Sequence, residues 1–218
     1  MMTPALRRVT FTTHITSSVG WVGAAMVFLA LAVIGVTSED ERTVRGVYLV
    51  MAPAAWFVLV PLAHASLLSG IALSLGTTWG LFRHYWVVVK LGMTIFATVI
   101  LLVYMGTFRQ MAGVAADPVV DLAAVQNASP IVHAILALVL LVAATVLGVY
   151  KPFGMTAYGR WKLLEQRQAL APTEVLRPTG AVADSANTPA PYVLGIVALA
   201  AVILFVLRHL MGGSLTQH

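Results

Sequence analysis

Lys90 lies inside an apolar run that opens with "FRHYWVVVKLGM" and continues to Phe108. An ammonium in hydrocarbon costs several kcal/mol unless it reaches water or finds a partner. Three histidines occupy comparable settings: His14 in "TTHITSSVGWVGAAM", His64 in "WFVLVPLAHASLLSG" and His133 in "SPIVHAILALV". An imidazole can ligate a metal, carry a proton, or donate one hydrogen bond while accepting another. No Asp or Glu falls within the apolar stretches. That removes what a divalent-cation site, a proton-driven carrier or a hydrolase triad would use. What remains is chemistry served by neutral imidazole and positive charge. Haem b fits such an inventory, with imidazole on iron and Lys or Arg at the propionates.

Each residue also has a plainer reading. His14 shares a helical face with Ser18, Trp21 and Ala25, but near a helix end it can equally be wetted by headgroups. His64 lies deepest, on a stripe with Trp56, Val60, Leu67 and Ile71, where its alternative is a bond to a neighbouring helix. Pro61 beside it removes a backbone hydrogen bond and is expected to kink the helix and free the Phe57 carbonyl. Lys90 either snorkels past Trp86 to the headgroups or turns inward with Trp86, Met93, Thr94 and Ala97. His133 reads as interfacial on the opposite side. Met51, Met93 and Met105 do not form a copper-binding ladder and read as core filler.

These residues are carried by five apolar stretches: Thr13–Val36, Val47–Leu75, Tyr85–Phe108, Pro130–Tyr150 and Pro191–Met211. Each reaches the ~20 residues that cross a bilayer as a helix. None alternates apolar and polar residues as a barrel strand would. Hydrophobic residues make up 60% of the chain against 10% charged, and the mean hydropathy is +0.91, which excludes an ordinary soluble domain. The fold class is therefore all-α and polytopic, a four-helix transmembrane bundle plus a fifth transmembrane helix. Residues 1–153 form the core, 154–190 a cytoplasmic amphipathic segment and flexible linker, and 191–218 the fifth helix and tail. Within the middle piece "YGRWKLLEQRQAL" reads as a short interfacial helix with Trp161, Leu164 and Leu170 toward lipid.

Charge orients the bundle. Arg7, Arg8, Arg83, Lys151, Arg160, Lys162, Arg167 and Arg177 fall on one side, and only Arg42, Arg45, Arg109 and Arg208 on the other. The positive-inside rule places the N-terminus in the cytoplasm and the C-terminus outside, in the cell membrane. At ~1.5 Å per residue, His14 and Lys90 lie within about two turns of the inner face and His64 roughly 9–17 Å from it. The three can share the inner half of one bundle, with Arg83 and His84 at its mouth. The net charge of +5 comes without a basic cluster interleaved with aromatics, so nucleic acid is not an expected partner. The absence of cysteine excludes disulfides, thiolate metal sites and covalently attached haem.

"LRRVTFTTHITSSVGWVGAAMVFLAL" together with "SLGTTWGLFRHYWVVVKLGMTIFATVILLVY" resembles a family of small uncharacterised integral membrane proteins of actinobacteria, over roughly Arg7 to Phe153. More distantly the layout is similar to the four-helix membrane protoporphyrinogen oxidase and to CopD-like copper-resistance membrane proteins. Arg8, His14, Trp21 and Gly23 correspond to the oxidase pattern in the first helix, and Trp86 and Lys90 to its Trp-x-x-x-Lys pattern in the third. The resemblance implies haem- or porphyrin-site roles for His14 and Lys90. Histidines ending the first and third spans of that group are replaced here by Val36 and by Tyr104 or Phe108.

The sequence thus sets up a haem b-binding membrane protein serving electron transfer or porphyrin-linked redox chemistry, with any enzymatic activity left open. His64 and His14 are the expected iron ligands. Lys90 and Arg83 would meet the propionates, and Trp21 and Trp86 would line the site. The bilayer, a membrane redox partner and further copies of the chain are the partners this reading admits. Its rival is a small transporter or channel for an anion or metal ion, lined by Lys90 and the histidines.

Overall fold

The structure, a computed structural model, describes residues 2–77, 79–152 and 154–170. The linker and the apolar stretch Pro191–Met211 lie outside the described residues. Apart from one isolated bridge between His84 and Met155, the described residues are helices and turns. The helices are α1 (Pro4–Thr37), α2 (Glu41–Ala54), α3 (Val60–Gly76), α4 (Tyr85–Ala116), α5 (Ser129–Tyr150) and α6 (Ala157–Leu170). α2 and α3 run on through a π-helical turn at Ala55–Leu59, so four helical rods are long and apolar enough to cross a membrane. The chain is a helical membrane protein.

Two rods begin ahead of their apolar stretches because polar caps set their starts. Thr3 accepts from the Leu6 N–H and sets the start of α1 nine residues ahead of Thr13. Asp40 accepts from the N–H groups of Arg42 and Thr43 and from the Thr43 hydroxyl, starting α2 ahead of Val47. A carboxylate there also complements the positive end of the helix dipole.

The rods pack as neighbours in chain order. α1 lies against α2, α3 and α5, and α4 lies against α2, α3 and α5. The buried face of α1 is Trp21, Ala25, Phe28, Ala32 and Gly35, alternating steps of four and three as in a left-handed bundle. Tyr48, Met51 and Met93 are fully buried between the rods.

At one end, Arg45 ties the bundle together. Its guanidinium bonds Glu41 at 2.6 Å and donates to the carbonyls of Asp117 (2.6 Å), Val120 (2.9 Å) and Val114 (3.3 Å). Arg45 thereby reaches the carbonyls of Val114 and Ala115 in the last turn of α4 and those of Asp117 and Val120 in the loop that follows. The opposite end carries α6. Thr156 donates to the Phe82 carbonyl and accepts from the Gly159 N–H, and Gly159 approaches the Arg83 backbone too closely to admit a Cβ. Trp161 and Leu164 of α6 are exposed.

The π-turn accommodates Pro61. The Val60 N–H bonds the Ala55 carbonyl, widening the helix so that the rod continues past the proline. The sequence stripe through His64 is thereby broken. Trp56 is exposed, while Ala55, Leu59, Ala63, Ser66 and Ser69 face the core. His64 falls on the flank of that small-residue face.

Candidate functional site

α1, α3, α4 and α5 enclose a cavity of about 310 Å³ at the end of the bundle where α1 begins. Its polar wall is His14 on α1, Ser66 on α3, Lys90 on α4, and Lys151 just beyond α5. Arg7 stands one turn nearer the bundle end than Phe11, and both line it. Leu67, Leu73 and Leu91 supply apolar walls, and Trp79 and Trp86 meet edge to face at 5.5 Å.

His14 is held by α3. Its Nδ1 lies 3.0 Å from the Ser66 carbonyl and 3.1 Å from Ser69 Oγ. Ser69 already donates its hydroxyl to the Ala65 carbonyl, so both groups meet the ring as acceptors. Nδ1 therefore carries the proton, and the Nε2 lone pair faces Lys90 Nζ at 3.4 Å. α1 and α3 can approach because the residues between them are small. A Cβ on Gly70 would stand 3.0 Å from the imidazole, and Ser18 and Ser66 share a hydrogen bond of 2.8 Å.

Lys90 is directed inward, across to α5. A Cβ on Gly148 would lie 2.9 Å from its Nζ, so the glycine leaves the space that the ammonium fills. Three residues later Lys151 ends α5 in the left-handed conformation (φ 41°, ψ 61°), a place usually given to glycine. The strained turn carries the Lys151 amine over the Trp79 ring, 5.3 Å from its centroid. Trp79 is positioned in turn by His84, whose Nδ1 donates to the Trp79 carbonyl at 2.8 Å.

No acidic residue lines this cavity. Among the described residues, Glu39, Asp40, Asp117 and Asp121 belong to the connections at the opposite end, Glu41 begins α2 there, and Glu165 pairs with Lys162 on α6 at 2.7 Å. The hydroxyls of Ser74, Thr77 and Thr94 donate back to the carbonyls of Gly70, Leu73 and Lys90. Cations, and not hydroxyl protons, are what the cavity offers a guest. It can accept negative charge.

Of the residues singled out by sequence, His14, Lys90 and Trp86 meet here. His64 does not line the cavity; it is half-buried and its Nδ1 lies 2.8 Å from its own Val60 carbonyl. Arg83 lays its side chain over Gly80, whose positive φ of 62° and crowded Cβ position both require glycine. Trp21 lines a separate apolar groove with Phe28, Phe96 and Phe108, where His133 stacks on Tyr104 at 4.1 Å. Among the described residues no group of three or more His, Cys, Asp or Glu could hold a metal ion. Arg7 and Lys151 were legible only as topology signals, and Gly148 carried no signal of its own. No protein-family model, curated protein or solved structure matches the chain.

Proposed function

We propose that this protein binds an anion in the Lys90 cavity, at the cytoplasmic side of the cell membrane. The observation that carries the reading is the Lys90 ammonium itself. It is placed inside an apolar rod, with an imidazole lone pair at 3.4 Å and no carboxylate on the cavity wall. A cation so placed is costly until an anion or water compensates it. Arg7 and Lys151 at the same cavity add charge of the same sign. The placement of that end in the cytoplasm follows from the excess of Arg and Lys there.

The cavity favours binding over conduction. Beyond Lys90 the interior closes on Ser17, Trp21, Ala63 and Met93, all buried. A porphyrin with two carboxylates belongs to the same class of ligand, and the resemblance of Trp86 and Lys90 to a porphyrin-site pattern agrees with that. The expected iron pair finds no support, because His64 lies off the cavity and both ring nitrogens of His14 have partners.

The test is a thermal-melt screen of purified full-length protein against inorganic phosphate, acetate and citrate at constant ionic strength. A ligand that binds only the folded state raises the melting temperature by mass action. At least one anion should stabilise the wild type and fail to stabilise Lys90→Met. An absence of any such response, to these anions and to an anionic lipid alike, sinks the reading.

A further inference from the structure

We propose that the anion is a phosphate monoester on an apolar tail, taken from the surrounding membrane leaflet. The inference rests on the anion-binding reading above and names the ligand class of the same cavity.

Charge selects the head. Arg7, Lys90 and Lys151 are three cationic side chains on a wall with no acidic one. A single carboxylate would leave most of that charge unmatched. A phosphate monoester carries about −1.5 to −2 charges near neutral pH and three strong acceptor oxygens. The Arg7 guanidinium can take two of those oxygens as a fork, while the lysines act as point charges. Because the hydroxyls of Ser74, Thr77 and Thr94 already donate to helix carbonyls, the strongest donors left on the wall are these cations.

The walls select the tail. Phe11, Leu67, Leu73 and Leu91 present apolar surface beside the charges, and Phe11 is more than half exposed. A hydrated inorganic anion gains nothing from such walls, whereas an acyl or isoprenyl chain does. The rods around the cavity are long and apolar enough to cross a bilayer, and the exposed Phe11 puts apolar surface at its edge, where a lipid tail would lie.

The experiment is native mass spectrometry of the full chain in neutral detergent. Its probes are dioleoyl phosphatidic acid, dioleoyl phosphatidylcholine and inorganic phosphate, each offered to wild type, Lys90→Met, Lys90→Arg and Lys151→Met. Phosphatidic acid should bind at least about tenfold more tightly than phosphatidylcholine, a ratio in keeping with one charge-assisted contact. The preference should fall in Lys151→Met and Lys90→Met and return in part in Lys90→Arg. Equal retention of the two lipids overturns the proposal. Lys90-dependent binding of inorganic phosphate as tight as that of phosphatidic acid removes the tail and leaves the anion reading standing. Should acetate or citrate stabilise the wild type while both phosphate probes fail, the phosphate head is wrong. If no anion binds at all, the anion reading falls with it.

Discussion

Lys90 Nζ stands 3.4 Å from Nε2 of His14, and the far side of that ring is fixed by the Ser66 carbonyl at 3.0 Å. The pair joins α1, α3 and α4 through one imidazole. Replacing His14 with Ala removes the donor to Ser66 and leaves Lys90 without its protein acceptor. The expected loss is about 1–3 kcal/mol of stability, the range for stranding a buried polar partner. Chemical denaturation in mild detergent reads it, and a loss near zero would show that the imidazole is merely wetted.

Gly148 and Lys90 compete for the same space. A Cβ at position 148 would meet Nζ at 2.9 Å, but it would meet the end of a flexible side chain and not backbone. Gly148→Ala should therefore fold normally while shifting the ammonium and weakening any anion-induced rise in melting temperature. An unchanged anion response would separate Gly148 from the site.

Lys151 sets stability against binding. Its left-handed backbone (φ 41°) costs a non-glycine residue roughly 1–2 kcal/mol. Lys151→Gly should raise the melting temperature of the ligand-free protein and reduce its response to anions, since the amine over Trp79 is lost. A variant that gains stability and keeps the full anion response would place Lys151 outside the site.

Much of this arrangement was legible in the sequence, and the reasons for the rest are specific. Apolar length defined the four rods, and the amphipathic pattern from Tyr158 located α6. Depth counted along the apolar stretches put His14 and Lys90 in the same half of the bundle, although α1 starts ahead of its stretch and sets His14 ten residues into its helix against five for Lys90. Rotation about a helix was not legible where the helix is irregular. The π-turn at Ala55–Leu59 changes the count of residues per turn, so Trp56 and His64 do not continue one inward stripe. Nor does sequence reveal that Gly148 yields its volume to a residue on another helix, or that Lys151 adopts a glycine-like backbone. Those follow only from packing.

The opposite end offers a control. Arg45→Ala should leave the Asp117 and Val120 carbonyls to water and release Glu41, costing about 1 kcal/mol because these partners are exposed. Hydrogen exchange across residues 117–121 should rise, with the anion response at the distant cavity unchanged. Protection there equal to the wild type would mean that the loop is held by other contacts.

Asp40 gives a pH dependence with a definite sign. The Thr43 hydroxyl and the first amides of α2 hold its carboxyl below the usual range in the folded state. Its contribution is thus present above the ordinary carboxylate pKa and is lost as pH falls through the lower folded value. Asp40→Asn should flatten the acid limb of a stability profile; an identical acid limb would show that other carboxylates govern it.

The measurement to make first is the thermal melt of wild type beside Lys90→Met, with and without phosphate, acetate or citrate at constant ionic strength. An anion that raises the wild-type midpoint and leaves Lys90→Met unmoved would establish Lys90 as the anion's partner. Equal shifts in both proteins, or none in the wild type, would contradict it and return Lys90 to the role of a lysine that reaches the headgroups.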